Sequence, residues 1–276
     1  MAIITLTRGT YSGAKELAEF TAQNLNYPLL SREDIIDELA KLGWEEDKLN
    51  KARYKNLGMM ERMNLQWIHY LACVKAVLAE KARDEKLVYH GSQGGLVLKE
   101  FPLIMNVKCI ADMDYRIMAV IKRTGYVIDR KEAIKIINRI DKRRERWSRV
   151  ISGTDCGDDS IYDMIIDLSK TSIPDAFERI RSTISLPQFQ PIKESQKKID
   201  DLVIAARLRA KIAMEGDILD DDISVEIKDG IVNVKGTVHS REDADTIRQL
   251  LAQQPEIHDV ADSLETAHDE PAHAHH

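Results

Sequence analysis

The chain has 276 residues, 43% hydrophobic and 5% aromatic, with a formal net charge of −6. That length suits two domains with a proper core, and the acidic balance argues against a general nucleic-acid binder, which carries a basic footprint. Cys73, Cys109 and Cys156 lie far apart without a C-x-x-C pair, and no stretch approaches about 18 uninterrupted apolar residues, so a disulfide framework, a zinc knuckle, export and a membrane span are all excluded as expectations in favour of a reducing cytoplasm.

Ile3-Ile4-Thr5-Leu6 runs into Thr7-Arg8-Gly9-Thr10-Tyr11-Ser12-Gly13-Ala14-Lys15 and reads as a buried strand, a small-residue turn and a helix. Ala14, Leu17, Ala18, Thr21, Ala22 and Leu25 recur at helical spacing, which puts one apolar stripe against a sheet. Tyr27 to Leu30 is a short strand, and Ser31 is placed to N-cap a helix over Arg32 to Lys41 that ends at Gly43. The helical pattern returns from Glu45 to Lys81, with Trp67, Leu71, Val74 and Leu78 on one stripe. Leu87 to His90 reads as a strand entering Gly91-Ser92-Gln93-Gly94-Gly95, and Ile104 to Ile110 as another. Helices follow over Met113 to Arg123 and Arg130 to about Trp147, then a loop over Gly153 to Ser160, a last buried strand at Met164 to Leu168, and a closing helix through Ile173, Ala176, Phe177 and Ile180. Continuous apolar strands alternating with helices predict an α/β fold, a parallel sheet with helices on both faces, over residues 1–184.

Residues 185–199 hold Pro187, Pro191, three glutamines and Lys197-Lys198 without a sustained apolar period, the composition of a linker. Beyond it, Leu202 to Met214 is helical, Ile223 to Ile227 and Val232 to Val234 alternate around Asp229-Gly230, Arg241 to Gln253 is helical, and Ile257 to Leu264 closes as a strand. Asp-Gly between alternating runs signals a tight hairpin, because both central residues must accept positive φ. The result is a small α+β module, α-β-β-α-β, over 200–266. Residues 267–276 form a short His-rich tail, expected to be disordered.

A strand that delivers Gly, Ser and Lys to a helix N-terminus is where phosphate sits, since the first N–H groups lack helical partners and the dipole favours an anion. A working phosphate loop follows G-x-x-x-x-G-K-[ST], with the lysine on the β/γ-phosphates and the hydroxyl on Mg²⁺. With Gly13 as the second glycine, Arg8 stands at the first, Ala14 at the lysine and Lys15 at the hydroxyl. Lys15 is one residue late, a rotation of about 100° on a helix. Loss of both groups is severe for phosphoryl transfer and leaves backbone anion binding intact. A surface lysine on a helix that merely packs the sheet is the alternative reading of Lys15. A second basic cluster, Arg139, Lys142, Arg143, Arg144, Arg146 and Arg149, puts Arg139, Arg143 and Arg146 on one helical face. Arginine forks there suit phosphate oxygens; the plainer alternative is a solvated face paired to Asp141 and Glu145.

Thr7-Arg8 through Ser12-Gly13-Ala14-Lys15-Glu16-Leu17-Ala18, Pro28-Leu29-Leu30-Ser31-Arg32-Glu33, Val88-Tyr89-His90-Gly91-Ser92, Ile140-Asp141-Lys142-Arg143-Arg144-Glu145-Arg146, and Gly157-Asp158 with Tyr162-Asp163-Met164-Ile165-Ile166 together resemble the cytidylate-kinase-like family. The resemblance implies a P-loop nucleoside-monophosphate-kinase fold, a mobile arginine-bearing lid at Arg139 to Arg149, a cleft at the carboxyl ends of the strands, and ATP with Mg²⁺ as cofactors if the chain is active. On it, Arg8, Gly9, Ser12, Gly13, Ala14, Lys15, Arg32, Arg139, Arg143 and Arg146 are the nucleotide- or phosphate-binding candidates, with Lys15, Arg143 and Arg146 the catalytic ones; no metal-ligating set is expected. Members usually carry an aspartate at Ser31, an arginine at Ser92 and a glycine at Tyr11, and all three are replaced. Tyr11 is expected to stack on or block the cleft. Residues 200–266 resemble a BON domain, through Ile223 to Ile227, Gly230 to Val238 and Val260. That resemblance implies an interaction module, for a protein partner or for self-association into a homo-oligomer. Five acidic residues within Glu215 to Asp222 repel anionic lipid, which argues against a membrane partner.

The expectation is therefore a nucleotide- or phosphate-binding regulator or sensor with weak or no kinase activity, coupled to a BON module. An active CMP-type kinase and a nucleotide-free assembly protein are its rivals.

Overall fold

The computed structural model describes residues 2–41, 59–91, 94–152, 159–214 and 223–266. The described residues fall into two compact units, one within Met1–Asp34 and Asp84–Ser195, the other within Ile35–Arg83 and Gln196–His276.

In the first unit, β1 (Ile3–Arg8), β2 (Leu29–Ser31), β3 (Leu87–Gly91), β4 (Ile104–Ile110) and β5 (Met164–Asp167) form a sheet in the order β2-β3-β1-β4-β5. Every pairing is parallel, as the unbroken apolar strands predict, because such strands need cover on both faces. One face carries Ile4, Leu6, Val88, Met105, Val107 and Ile166. Onto it pack α1 (Ala14–Leu25), through Leu17, Ala18 and Ala22, and α7 (Ile173–Ile184), through Ala176, Phe177 and Ile180. Phe20 meets Phe177 edge to face at 5.5 Å between ring centroids, a pairing that positive ring edges and negative faces favour. In chain order α2 (Arg32–Lys41), α3 (Met59–Ala82) and α4 (Gly94–Val97) come between α1 and α7, with residues 35–82 belonging to the second unit.

Ser31 caps α2 as its sequence predicts: Asp34 N–H donates to Ser31 Oγ at 3.2 Å and Ser31 N–H donates to Asp34 Oδ2 at 2.7 Å, a reciprocal box that satisfies two donors. A hairpin of helices, α5 (Met113–Arg123) and α6 (Arg130–Ser152), builds a separate small cluster from Ile117, Val120, Ala133 and Ile137. Asp112 caps α5 by accepting the Tyr115 N–H at 2.8 Å.

Residues 185–199, expected as a linker, contain a 3₁₀ turn at Pro187–Phe189, with Phe189 buried in the first unit's core, and the first turns of α8 (Lys193–Met214). The isolated Phe189 gives no period to read, which is why composition alone suggests a loop there.

The second unit's sheet is β6 (Ser224–Lys228), β7 (Ile231–Val238) and β8 (Asp259–Thr266), with β6-β7 antiparallel and β7-β8 parallel. Asp229 and Gly230 have φ of 54° and 78°, the primed turn that their sequence signals. Leu208 and Ile212 from α8 and Ala244, Ile247 and Leu251 from α9 (Arg241–Ala252) cover Val232, Val234 and Val238. Arg248 bridges Asp245 and Asp262, tying α9 to β8. No helix among the described residues is long and apolar enough to cross a membrane. The acidic segment 215–222, the tail 267–276, Cys156 and the helix start expected at Glu45 lie outside the described residues.

Candidate functional site: the loop between β1 and α1

β1 ends at Arg8, and residues 9–13 turn the chain into α1 at the carboxyl edge of the sheet. Gly9 N–H donates to Cys109 O at 2.9 Å, which pins the turn to β4. Ser12 is buried, and its hydroxyl and N–H both donate to Gly9 O, at 3.0 and 3.3 Å. Gly13 then caps α1 in the left-handed region, φ 83°, with no side-chain cap, so the first-turn N–H groups have no helical partner. A Cβ on Gly13 would stand 2.7 Å from Tyr115 Oη and 3.3 Å from Leu168 Cδ1; only glycine accepts both that φ and that neighbour.

Two arginines hold the loop from the α5-α6 side. Arg116 Nε donates to Thr10 O at 2.7 Å while its Nη2 pairs with Asp141 at 2.6 Å. Arg144 Nη1 donates to Arg8 O at 2.6 Å. Tyr11 takes a positive φ of 57°, which a bulky residue adopts only under constraint. Its ring packs on the α5-α6 cluster with the Arg123 guanidinium 5.8 Å above its centroid. The ring of Tyr11, expected to stack on or block the cleft, finds apolar cover against the hairpin.

The opposite side of the loop is polar and short of partners. Register places His90 of β3 beside Leu6 of β1 and Ser31 of β2. His90 is 3% exposed and Thr10 2%. Among the described residues His90 Nδ1, Thr10 Oγ1 and Arg8 Nε, all buried, have no hydrogen-bond partner. Arg8 Nη2 lies 3.9 Å from Glu33 Oε1. Burial, then the Arg8 charge, hold His90 below the usual histidine range. Glu33 is held below the usual carboxylate range although burial opposes it, by its own backbone N–H and by Arg8. At the base of the loop, burial pushes the Cys109 thiol up to about 12, which makes it inert as a nucleophile.

The sequence-predicted residues divide accordingly. Arg8, Gly9, Ser12, Gly13 and Ala14 come together in the loop, with Ala14 only 2% exposed at the position of the motif lysine. Lys15 has a side chain 64% exposed that pairs with Glu19 at 3.6 Å, within range for its charge to act on His90. Arg139 is exposed on α6, and Arg32, Arg143 and Arg146 stand in α2 and α6 with side chains outside the described residues. Arg116 is a loop contact that sequence reasoning passes over; Arg144 is named there in the basic cluster but not among the binding candidates. Arg144 has a legible signal, since Ala133, Ile137 and Asp141 extend to it at helical spacing; Arg116 has none, lying on α5 far from the motif. Ala14 at the position of the motif lysine is buried and Lys15 is exposed, so the loop departs from the phosphate-loop pattern at that position.

The profile of the cytidylate kinase-like family matches residues 3–170, and that of the BON domain residues 200–267. Among solved structures, an uncharacterized protein from Eubacterium ventriosum is similar at 21% identity with a TM-score of 0.51, over 67% of this chain and 99% of its own. Shikimate kinases from Acinetobacter baumannii, solved with shikimate, and Bacteroides thetaiotaomicron are each similar at 13% identity and 67% of this chain, with TM-scores of 0.37 and 0.39 over 93% and 99% of their own. No curated protein is a match. The chain belongs to the cytidylate kinase-like family over residues 3–170 and carries a BON domain over residues 200–267, a kinase-like nucleotide-binding scaffold joined to a second module.

Proposed function

We propose that this protein binds a nucleotide or phosphate ester as a cytoplasmic regulator or sensor, with weak or no kinase activity, and passes the bound state to a protein partner or a second copy through its BON module. The domains run over 1–184 and 200–266, joined by 185–199. One observation carries the reading: the loop keeps its turn, its left-handed Gly13 and its uncapped helix start, while the position of the transferring lysine holds buried Ala14 and Lys15 pairs outward with Glu19. Anion binding needs the N–H groups alone; phosphoryl transfer also needs charge neutralisation at the moving phosphate. Arg8, at the end of β1, supplies positive charge for binding.

A coupled assay with ATP, Mg²⁺ and CMP, run beside thermal shift against nucleotides, tests it. Expected are stabilisation of roughly 3 kcal/mol at a hundredfold excess over Kd and no turnover. Turnover that disappears in Lys15→Ala would establish the CMP-type kinase instead. Absence of stabilisation by any nucleotide would establish a nucleotide-free assembly role.

A further inference from the structure

His90 stands where the carboxyl ends of three strands meet. Its neighbours in register are Leu6 and Ser31, and Arg8 follows Leu6 by two residues, on the same face of β1, the face that α1 covers. Two buried polar atoms of that face, His90 Nδ1 and Arg8 Nε, have no partner among the described residues, and the Arg8 charge acts on the His90 ring. Native interiors pair such atoms, so two on one face beside a phosphate-type loop call for a ligand that brings several polar oxygens. The charges facing His90 are Arg8 from β1, Lys15 and Glu19 from α1, and Glu33 and Asp34 from the first turn of α2. Without an anion, burial and Arg8 favour the neutral ring.

We infer that His90 takes up a proton when a phosphate group binds beside Arg8, so that the affinity of this cleft for phosphate esters rises as pH falls. The inference rests on the anion-binding reading proposed above. A dianion lying between Arg8 and His90 offsets the guanidinium charge and accepts from the protonated ring, which stabilises the imidazolium only in the bound state. By linkage, the proton gained on binding becomes affinity gained in acid.

The test is calorimetry of the full chain from pH 7.5 to 5.5 with inorganic sulfate, a dianion that does not titrate in that range, and with CMP, in buffers of different ionisation enthalpy. NMR follows the His90 ring of the wild-type chain, assigned by its loss in His90→Gln. Expected are proton uptake, a sulfate affinity that climbs by up to about tenfold per pH unit, a His90 ring that becomes imidazolium when sulfate is added near pH 6.5, the ordinary histidine value, and a flat sulfate profile in His90→Gln. Binding with the same pH slope in both chains, or with an unchanged His90 ring, overturns this inference and leaves the anion-binding reading standing. No binding of sulfate or CMP at any pH overturns both.

Discussion

The two sides of the β1-α1 loop are built to opposite rules. Toward α5 and α6, the outward carbonyls of Arg8 and Thr10 are met by Arg144 and Arg116, and Gly13 lies against Tyr115. Toward β2 and β3, Arg8 Nε and His90 Nδ1 are buried without partners among the described residues. A guanidinium committed to a backbone carbonyl fixes the loop's shape and has fewer donors left for a phosphate. The first side is therefore scaffold, and the second is where the anion proposed above would find donors. Arginine content alone does not mark a phosphate site; what each fork already holds decides it.

Breaking the scaffold side has the largest expected effect. Arg116→Ala removes the bond to Thr10 O and strands Asp141; the cost is about 2–3 kcal/mol in urea unfolding, and a cycle with Asp141→Ala measures the coupling between the two. An Arg116→Ala chain as stable as wild type would remove the distinction between the sides. Gly13→Ala comes next, at about 1–2 kcal/mol from the positive φ and the approach of Tyr115, and it is expected to weaken sulfate binding as the turn shifts.

The pH response sharpens the other side. His90 sits below its ordinary 6.5 in the folded protein, so the unfolded chain binds more protons once pH falls under that value. The stability contributed by the neutral ring is complete above 6.5 and is lost as pH drops through the folded value. Glu33 and Asp34, lowered from 4.5 and 3.8, keep their contributions until more acid conditions, which separates the windows. Urea midpoints at pH 7.5 and 5.5 should fall less in His90→Gln than in wild type. The smallest effect is expected for Lys15→Ala: an exposed i,i+4 pair with Glu19 contributes at most about 0.5 kcal/mol, and ligand-induced thermal shifts should barely change. A large loss of binding there would move the functional side onto the surface of α1.

Local rules suffice for much of this protein. The α1 stripe, the Ser31 box, the Asp229-Gly230 turn and the continuous apolar strands each rest on neighbours within a few residues, and each is legible because backbone geometry and periodicity are local properties. The displaced lysine is legible too: one residue of shift on a helix is a rotation of about 100° whatever surrounds it. The sequence by itself therefore determined the parallel α/β sheet, the small α+β module and the loss of the lysine register. Only the tertiary structure decided that Arg116 and Arg144 hold the loop's carbonyls, that Tyr11 turns onto the α5-α6 cluster, that Phe189 is buried in the core, and that His90 meets Arg8 at a sheet edge. Those pairings join residues from 80 to more than 130 positions apart, or depend on which face of a helix a fold leaves uncovered. No window along the chain contains both partners, and the choice between them is made by packing.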